Sequence, residues 1–180
     1  MRPDLEVVLG NLSKARARLL GAADSISGEQ WKTSPSDGGW SAGELVAHLI
    51  MVERAIISSA DRIVQKPPKA IPFLKKFHFP MALVEARLIR RKTPIPLDTQ
   101  LVGDKEEMLA ELRAVRERSL AFMAETGDRD LSAYRWQHPF LGSLNTYEWF
   151  QMIASHEVRH TKQMKEISAS LRNCVAGLQK

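Results

Sequence analysis

Four long stretches of this sequence repeat apolar residues at intervals of three and four, the spacing of one face of an α-helix. They cover about residues 4–24, 41–66, 104–122 and 145–171. Amphipathic helices become stable when they bury their apolar faces against each other. The pattern therefore predicts an all-α four-helix bundle, and no stretch shows the alternation expected of a strand. In the first helix, Lys14, Arg16 and Arg18 are assigned to the polar face.

Turn and cap signals set the predicted helix boundaries. Ser41-Ala42-Gly43-Glu44 predicts a capping box that starts the second helix, and Pro67-Pro68 ends it. Residues 69–103 hold four prolines and are interpreted as a long crossover with one short extra helix over 81–92. A loop is predicted over 127–144, and Asn145 or Thr146 caps the fourth helix.

Composition narrows the classes of protein. A chain of 180 residues suits a single domain over 1–180. The densest basic stretch lies over residues 87–92 and alternates with apolar residues, so it is typical of a solvated helix face and nucleic-acid binding is not expected. No apolar run approaches the roughly 20 residues of a membrane span, and the N-terminus lacks a signal-peptide pattern. With one cysteine, Cys174, the chain forms no internal disulfide, and we expect a cytoplasmic protein.

Three histidines carry the strongest chemical signal. His156 and His160 are four residues apart on the apolar stripe of the fourth helix, so their rings share one face. Leaving such rings buried without partners costs about 1–3 kcal/mol each, and a divalent cation removes that cost. His48 lies on the apolar stripe of the second helix. The three together predict a metal site with an open fourth position, whereas the alternative is core histidines satisfied by neighbouring polar groups.

The segment His156-Glu157-Val158-Arg159-His160 also matches the H-E-x-x-H pattern of zinc proteases, where the glutamate is the general base. That interpretation is disfavoured because no third ligand follows within the 20 residues after His160. Glu157 is instead expected to form a salt bridge on the helix flank, or to lie near the site. Gln163 and His138 are the other candidates for polar groups beside the metal. Gln163 is equally explained as a polar boundary residue, whereas a loop histidine such as His138 more often hydrogen-bonds to backbone.

Two motifs resemble a known family. Trp40-Ser41-Ala42-Gly43-Glu44-Leu45-Val46-Ala47-His48-Leu49 and the stretch from His138-Pro139 to His160-Thr161-Lys162-Gln163 resemble the signatures of the DinB-like (YfiT-like) superfamily of metalloenzymes. The resemblance implies a four-helix bundle with a long crossover, often dimeric, in which His48, His156 and His160 bind zinc or nickel. It also implies chemistry like that of relatives that transfer or isomerise groups with low-molecular-weight thiols such as bacillithiol or mycothiol.

Two functions remain open at this stage. The first is a metal-dependent enzyme of the thiol S-transferase or hydrolase type that acts on a small molecule. The second is a non-catalytic bundle that a metal stabilises and that acts in a stress response or in protein interaction. Three imidazoles suit several divalent metals, so the sequence does not choose the ion.

Overall fold

The computed structural model describes residues 3–68, 102–139 and 141–177. It has four long helices: α1 (Pro3–Ala23), α2 (Ala42–Ile63), α3 (Lys105–Glu125) and α4 (Thr146–Gly177). The predicted four-helix fold is therefore confirmed. The short helix expected over 81–92, and almost all of the crossover that contains it, lie outside the described residues. None of the described helices is long and apolar enough to cross a membrane.

Matching caps begin the two helices that carry the histidines. At α2, Ser41 Oγ accepts from the Glu44 amide at 3.2 Å, and Glu44 Oε2 accepts from the Ser41 amide at 2.8 Å. At α4, Asn145 Oδ1 accepts from the Glu148 amide at 2.8 Å, and Glu148 Oε2 accepts from the Asn145 amide at 2.7 Å. Each pair satisfies amides that a helix start otherwise leaves open. Asn145, not Thr146, is therefore the cap of α4.

The expectation of no strands was wrong for the stretch that leads into α4. A short 3-10 turn, Leu131–Ala133, is followed by an antiparallel hairpin of β1 (Arg135–His138) and β2 (Gly142–Asn145). Trp136 lies opposite Leu144, and Gly142 has a φ of 76°, which a glycine adopts without strain. Strands of four residues are too short to show a clear alternation, so periodicity did not indicate them.

The helices pack as two pairs. Helix α1 lies along α4, and α2 lies along α3. The core forms two apolar clusters at the two ends of the bundle, and in one of them Phe122 stacks on Phe150 with ring centroids 5.4 Å apart. Between these clusters every helix contributes buried polar residues: Arg16, Glu53, Arg116, Ser119, Glu157 and His160. The candidate site belongs to this polar layer.

Candidate metal centre

The structure brings the three predicted histidines together across the gap between α2 and α4. His156 Nε2 lies 3.3 Å from His48 Nε2 and 3.0 Å from His160 Nε2. Each ring offers one ligand atom to the cluster, and these atoms all lie within 4.8 Å of one another. His156 and His160 lie close together because they are one turn apart on α4. Packing of α2 against α4 brings His48 to them.

The spacing of these nitrogens fits a bound divalent cation. Two nitrogen ligands about 2.0–2.1 Å from zinc, at a tetrahedral angle, are about 3.3 Å apart. The two Nε2 separations of 3.3 and 3.0 Å are close to that value. The cluster can therefore hold a metal ion without a large rearrangement of the side chains.

Burial keeps the imidazoles in the form that binds a metal. His48 and His160 are only 5% and 6% exposed, whereas His156 keeps a partly exposed edge. Burial lowers the pKa of His48 to about 4. Burial also lowers the pKa of His156 well below its usual value, and the neighbouring His160 and His48 lower that pKa further. His48 and His156 are therefore neutral at pH 7, with a lone pair available on each ring.

Gln163 fixes the orientation of one ligand. Its Oε1 lies 3.0 Å from His160 Nδ1, and because an amide oxygen only accepts, Nδ1 carries the proton and donates. The lone pair of His160 is then on Nε2, which points into the cluster. This is the arrangement in which a hydrogen bond to the outer nitrogen orients a metal ligand. His48 Nδ1, in contrast, is buried without a hydrogen-bond partner among the described residues.

An indole packs beside two of the three histidine rings. The ring of Trp40 lies 5.0 Å from that of His48, and it stacks on the His160 ring at 6.3 Å with an interplanar angle of 17°. From sequence, Trp40 was noted only as the first residue of the motif that contains His48. Its contact with the site was missed, although its place directly before the cap of the His48 helix was the available signal.

His138 lies at the end of β1. A positive charge on its ring, when the ring is protonated, lowers the pKa of His156. Its Nδ1 accepts from the Leu141 amide at 3.1 Å, so in the neutral ring the proton is on Nε2. The ring packs 4.9 Å from that of Trp149, which stacks on Trp136. Partial burial lowers the pKa of His138 below its usual value. His138 is therefore a neutral hydrogen-bond donor next to the cluster.

Glu157 forms the expected salt bridge, but in the core and not on an exposed flank. Its side chain is 1% exposed, and its carboxylate lies 2.7 Å from Arg16 Nη2 and 3.1 Å from Arg116 Nη2. Burial raises the pKa of Glu157, and the two arginines oppose that shift. A carboxylate enclosed in this way does not fit the general base of a zinc protease, so the H-E-x-x-H match is a coincidence of spacing.

Glu157 belongs to a cluster that we call the charge quartet: Arg16, Glu53, Arg116 and Glu157. Every helix supplies one member, and each side chain is at most 7% exposed. This cluster was not predicted from the sequence, because Arg16 was assigned to the polar face of the first helix. The available signal was that Arg16 falls between Leu12 and Leu19, at intervals of four and three, on the apolar stripe of α1.

These features define a class of protein: a four-helix bundle whose core brings together three histidines that could hold a metal ion. A family model described as the DinB superfamily matches residues 11–164, and the chain belongs to that superfamily.

Individual proteins resemble the chain over nearly its whole length. The uncharacterized protein YuaE of Bacillus subtilis (strain 168) is 28% identical over 162 residues, which span 88% of this chain and 96% of that protein. The crystal structure of TT2238, a four-helix bundle protein, is similar with a TM-score of 0.56 and 22% identity, over 90% of this chain and 98% of that one. The likeness to TT2238 supports the fold alone.

Proposed function

We propose that this protein is a metal-dependent enzyme that binds one divalent metal ion through the Nε2 atoms of His48, His156 and His160. The observation that carries the proposal is the convergence of the three nitrogens, with His156 Nε2 3.0 Å from His160 Nε2 and 3.3 Å from His48 Nε2. Burial also lowers the pKa of His48 and of His156. The reaction we propose is a thiol S-transfer or a hydrolysis on a small molecule. Zinc and nickel are the ions we propose, because both accept imidazole ligands.

Each neighbouring residue has a separate part in this proposal. Gln163 holds His160 with its lone pair facing the ion, and Trp40 keeps water from one side of the rings. His138, whose Nδ1 accepts from the Leu141 amide, is a polar residue at the end of β1 that we propose lies beside the substrate. The bound ion supplies Lewis acidity, which favours the deprotonated, nucleophilic form of a thiol or water. No separate general base is needed under this proposal.

A second function is a non-catalytic bundle that the metal stabilises. The observation that favours it is the burial of two of the three ligands between α2 and α4, where an ion cross-links two helices. A small-molecule thiol partner and a homodimer remain predictions from the family resemblance. The thiol belongs to the enzyme proposal, whereas the homodimer is a prediction under either function.

Elemental analysis of the purified protein tests the metal site. We expect about one divalent ion per chain in the wild type, and loss of most of it in His48→Ala and in His160→Ala, because each variant removes a third of the ligands. Lys162→Ala, an exposed position on the same helix as His160, is the matched control and should keep its metal. Wild-type metal content in both histidine variants would disprove the three-histidine site.

A thiol panel then separates the two functions. The metal-loaded protein is incubated with low-molecular-weight thiols and an electrophilic acceptor, and loss of thiol is followed over time. Acceleration that disappears in His48→Ala supports the enzyme. If no thiol reacts faster and no ester or amide is hydrolysed, while chelation still lowers the melting temperature, the metal has a structural role.

A further inference from the structure

The charge quartet lies at the centre of the bundle and joins all four helices. Arg16 Nη2 is 2.8 Å from Glu53 Oε2, and Arg116 Nε is 2.8 Å from Glu53 Oε1. Arg16 Nη2 and Arg116 Nη2 reach Glu157 at 2.7 and 3.1 Å. Ser119 Oγ donates to Glu53 Oε1 at 2.6 Å. The two positive and two negative charges thus balance inside the core.

Two of the four ion pairs, Arg16–Glu53 and Arg116–Glu157, cross between the two helix pairs. Arg16 and Glu157 belong to the α1–α4 pair, whereas Glu53 and Arg116 belong to the α2–α3 pair. The arginines also donate to backbone carbonyls on the opposite pair: Arg16 Nη1 to Leu112 O, and Arg116 Nη1 to Leu12 O at 2.6 Å. The quartet therefore fixes how one pair of helices is placed against the other.

The three histidines span that same boundary. His48 is on α2 in one pair, and His156 and His160 are on α4 in the other. Glu157 directly follows His156 and precedes His160 by three residues, and Glu53 follows His48 by five residues, about 7.5 Å along the helix. Over such short distances a helix moves as a rigid body. Fixing the positions of the two carboxylates therefore also fixes the positions of the histidines on the same helices.

We propose that the charge quartet positions the metal ligands: it sets the rotation and height of α4 against α2 so that the three Nε2 atoms converge. This inference rests on the proposed metal binding. Burying ion pairs in place of apolar side chains seldom adds net stability, which leaves geometry as the benefit the cluster provides. By linkage, metal binding and the quartet strengthen each other.

Two substitutions weaken the quartet to different degrees. Ser119→Ala removes one hydrogen bond to Glu53 and leaves all four charges, and Glu53→Gln removes the carboxylate that both arginines share. The matched controls are Ser168→Ala, a buried serine bonded to Ser25, and Glu111→Gln, a carboxylate paired with the exposed Arg54. Neither control residue contacts the quartet or the histidines in the hydrogen bonds and ion pairs of the described chain.

Metal-free protein is titrated with Co²⁺ well below its unfolding temperature, and both affinity and the visible absorption bands are recorded. Because residues outside a site change coupling by amounts of this order, we expect about tenfold weaker binding in Glu53→Gln and about threefold in Ser119→Ala. We also expect the bands to shift, since they report the arrangement of the ligands around cobalt. A residue that only stabilises the fold would leave affinity and bands unchanged in the folded protein.

The outcomes separate this inference from the proposed function. If the wild type takes up no Co²⁺, the metal site and its positioning both fail. If the wild type binds but Ser119→Ala and Glu53→Gln match their controls in affinity and bands, only the positioning role is overturned. Should Glu53→Gln not fold, Ser119→Ala against Ser168→Ala decides the question by itself.

Discussion

Two polar clusters share the middle of this bundle, and they differ in how complete they are. In the charge quartet, two guanidinium groups face two carboxylates, so every charge has a partner inside the protein. In the histidine cluster, three bases face each other and nothing among the described residues supplies a positive charge to their lone pairs. The quartet is thus neutral as a unit, whereas the histidines form a set of nitrogen ligands without an opposite charge among them. Three imidazoles that converge in this way are a ligand set that suits a divalent cation.

The largest expected effect comes from removing one charged member of the quartet. Arg116→Met leaves Glu53 and Glu157 with too few cations in a buried setting, and we expect it to lower the free energy of unfolding by about 3–5 kcal/mol. Arg118→Met, which breaks an exposed pair with Asp61, should cost less than about 1 kcal/mol. Urea denaturation of both variants measures the difference. If both variants lose the same free energy of unfolding, the quartet contributes no more to stability than an exposed ion pair does.

The next effect comes from binding a metal ion to the three histidines. Adding Zn²⁺ to metal-free protein at about 100 times its dissociation constant should raise the free energy of unfolding by about 2.7 kcal/mol, because the ion binds the folded chain alone. Thermal unfolding with and without metal measures this gain. His160→Ala should show little of it. A gain in His160→Ala as large as in the wild type would place the binding elsewhere.

An effect of similar size comes from protons, which compete with the metal ion for the same nitrogens. Folding lowers the pKa of His48 from 6.5 to about 4, so between these values the unfolded chain binds more protons than the folded one. Metal-free protein should therefore lose stability as the pH falls from about 6.5 towards 4, at up to about 1.4 kcal/mol per pH unit. His156, whose pKa burial also lowers, takes part in the same transition.

Denaturation between pH 7.5 and 4.5 in the presence of a chelator gives this slope. His48→Gln removes one titrating group and leaves Glu157 unchanged, so the difference between the two profiles isolates His48. Parallel profiles would show that His48 titrates in the folded protein as it does in the unfolded chain.

The sequence predicted the parts of the fold that depend on local chemistry. Ser41 and Glu44 announce the start of α2, and His156 and His160 share a face because the helix repeat places them there. The joining of His48 to that pair followed from its place on an apolar stripe, where a lone ring is costly. Each of these inferences needs only residues that are close along the chain.

The charge quartet could not be predicted in the same way. Arg16 reaches Glu157 across 141 positions, and periodicity within one helix does not reveal which helix lies opposite. A charged residue on an apolar stripe is the only local sign of such a partner, and in α1 it was interpreted as part of the polar face. The hairpin before α4 was missed because four-residue strands do not repeat long enough to be recognised.

The indole of Trp40, stacked against His160 and close to His48, gives this protein a built-in optical signal. Ions with partly filled d shells, such as nickel and cobalt, quench nearby tryptophan fluorescence, whereas zinc does not. Of the four tryptophans in the chain, Trp40 is the one whose ring packs directly on two candidate ligands. Its emission therefore separates the binding of an open-shell ion such as nickel from the binding of zinc, in the unmodified protein and without a label.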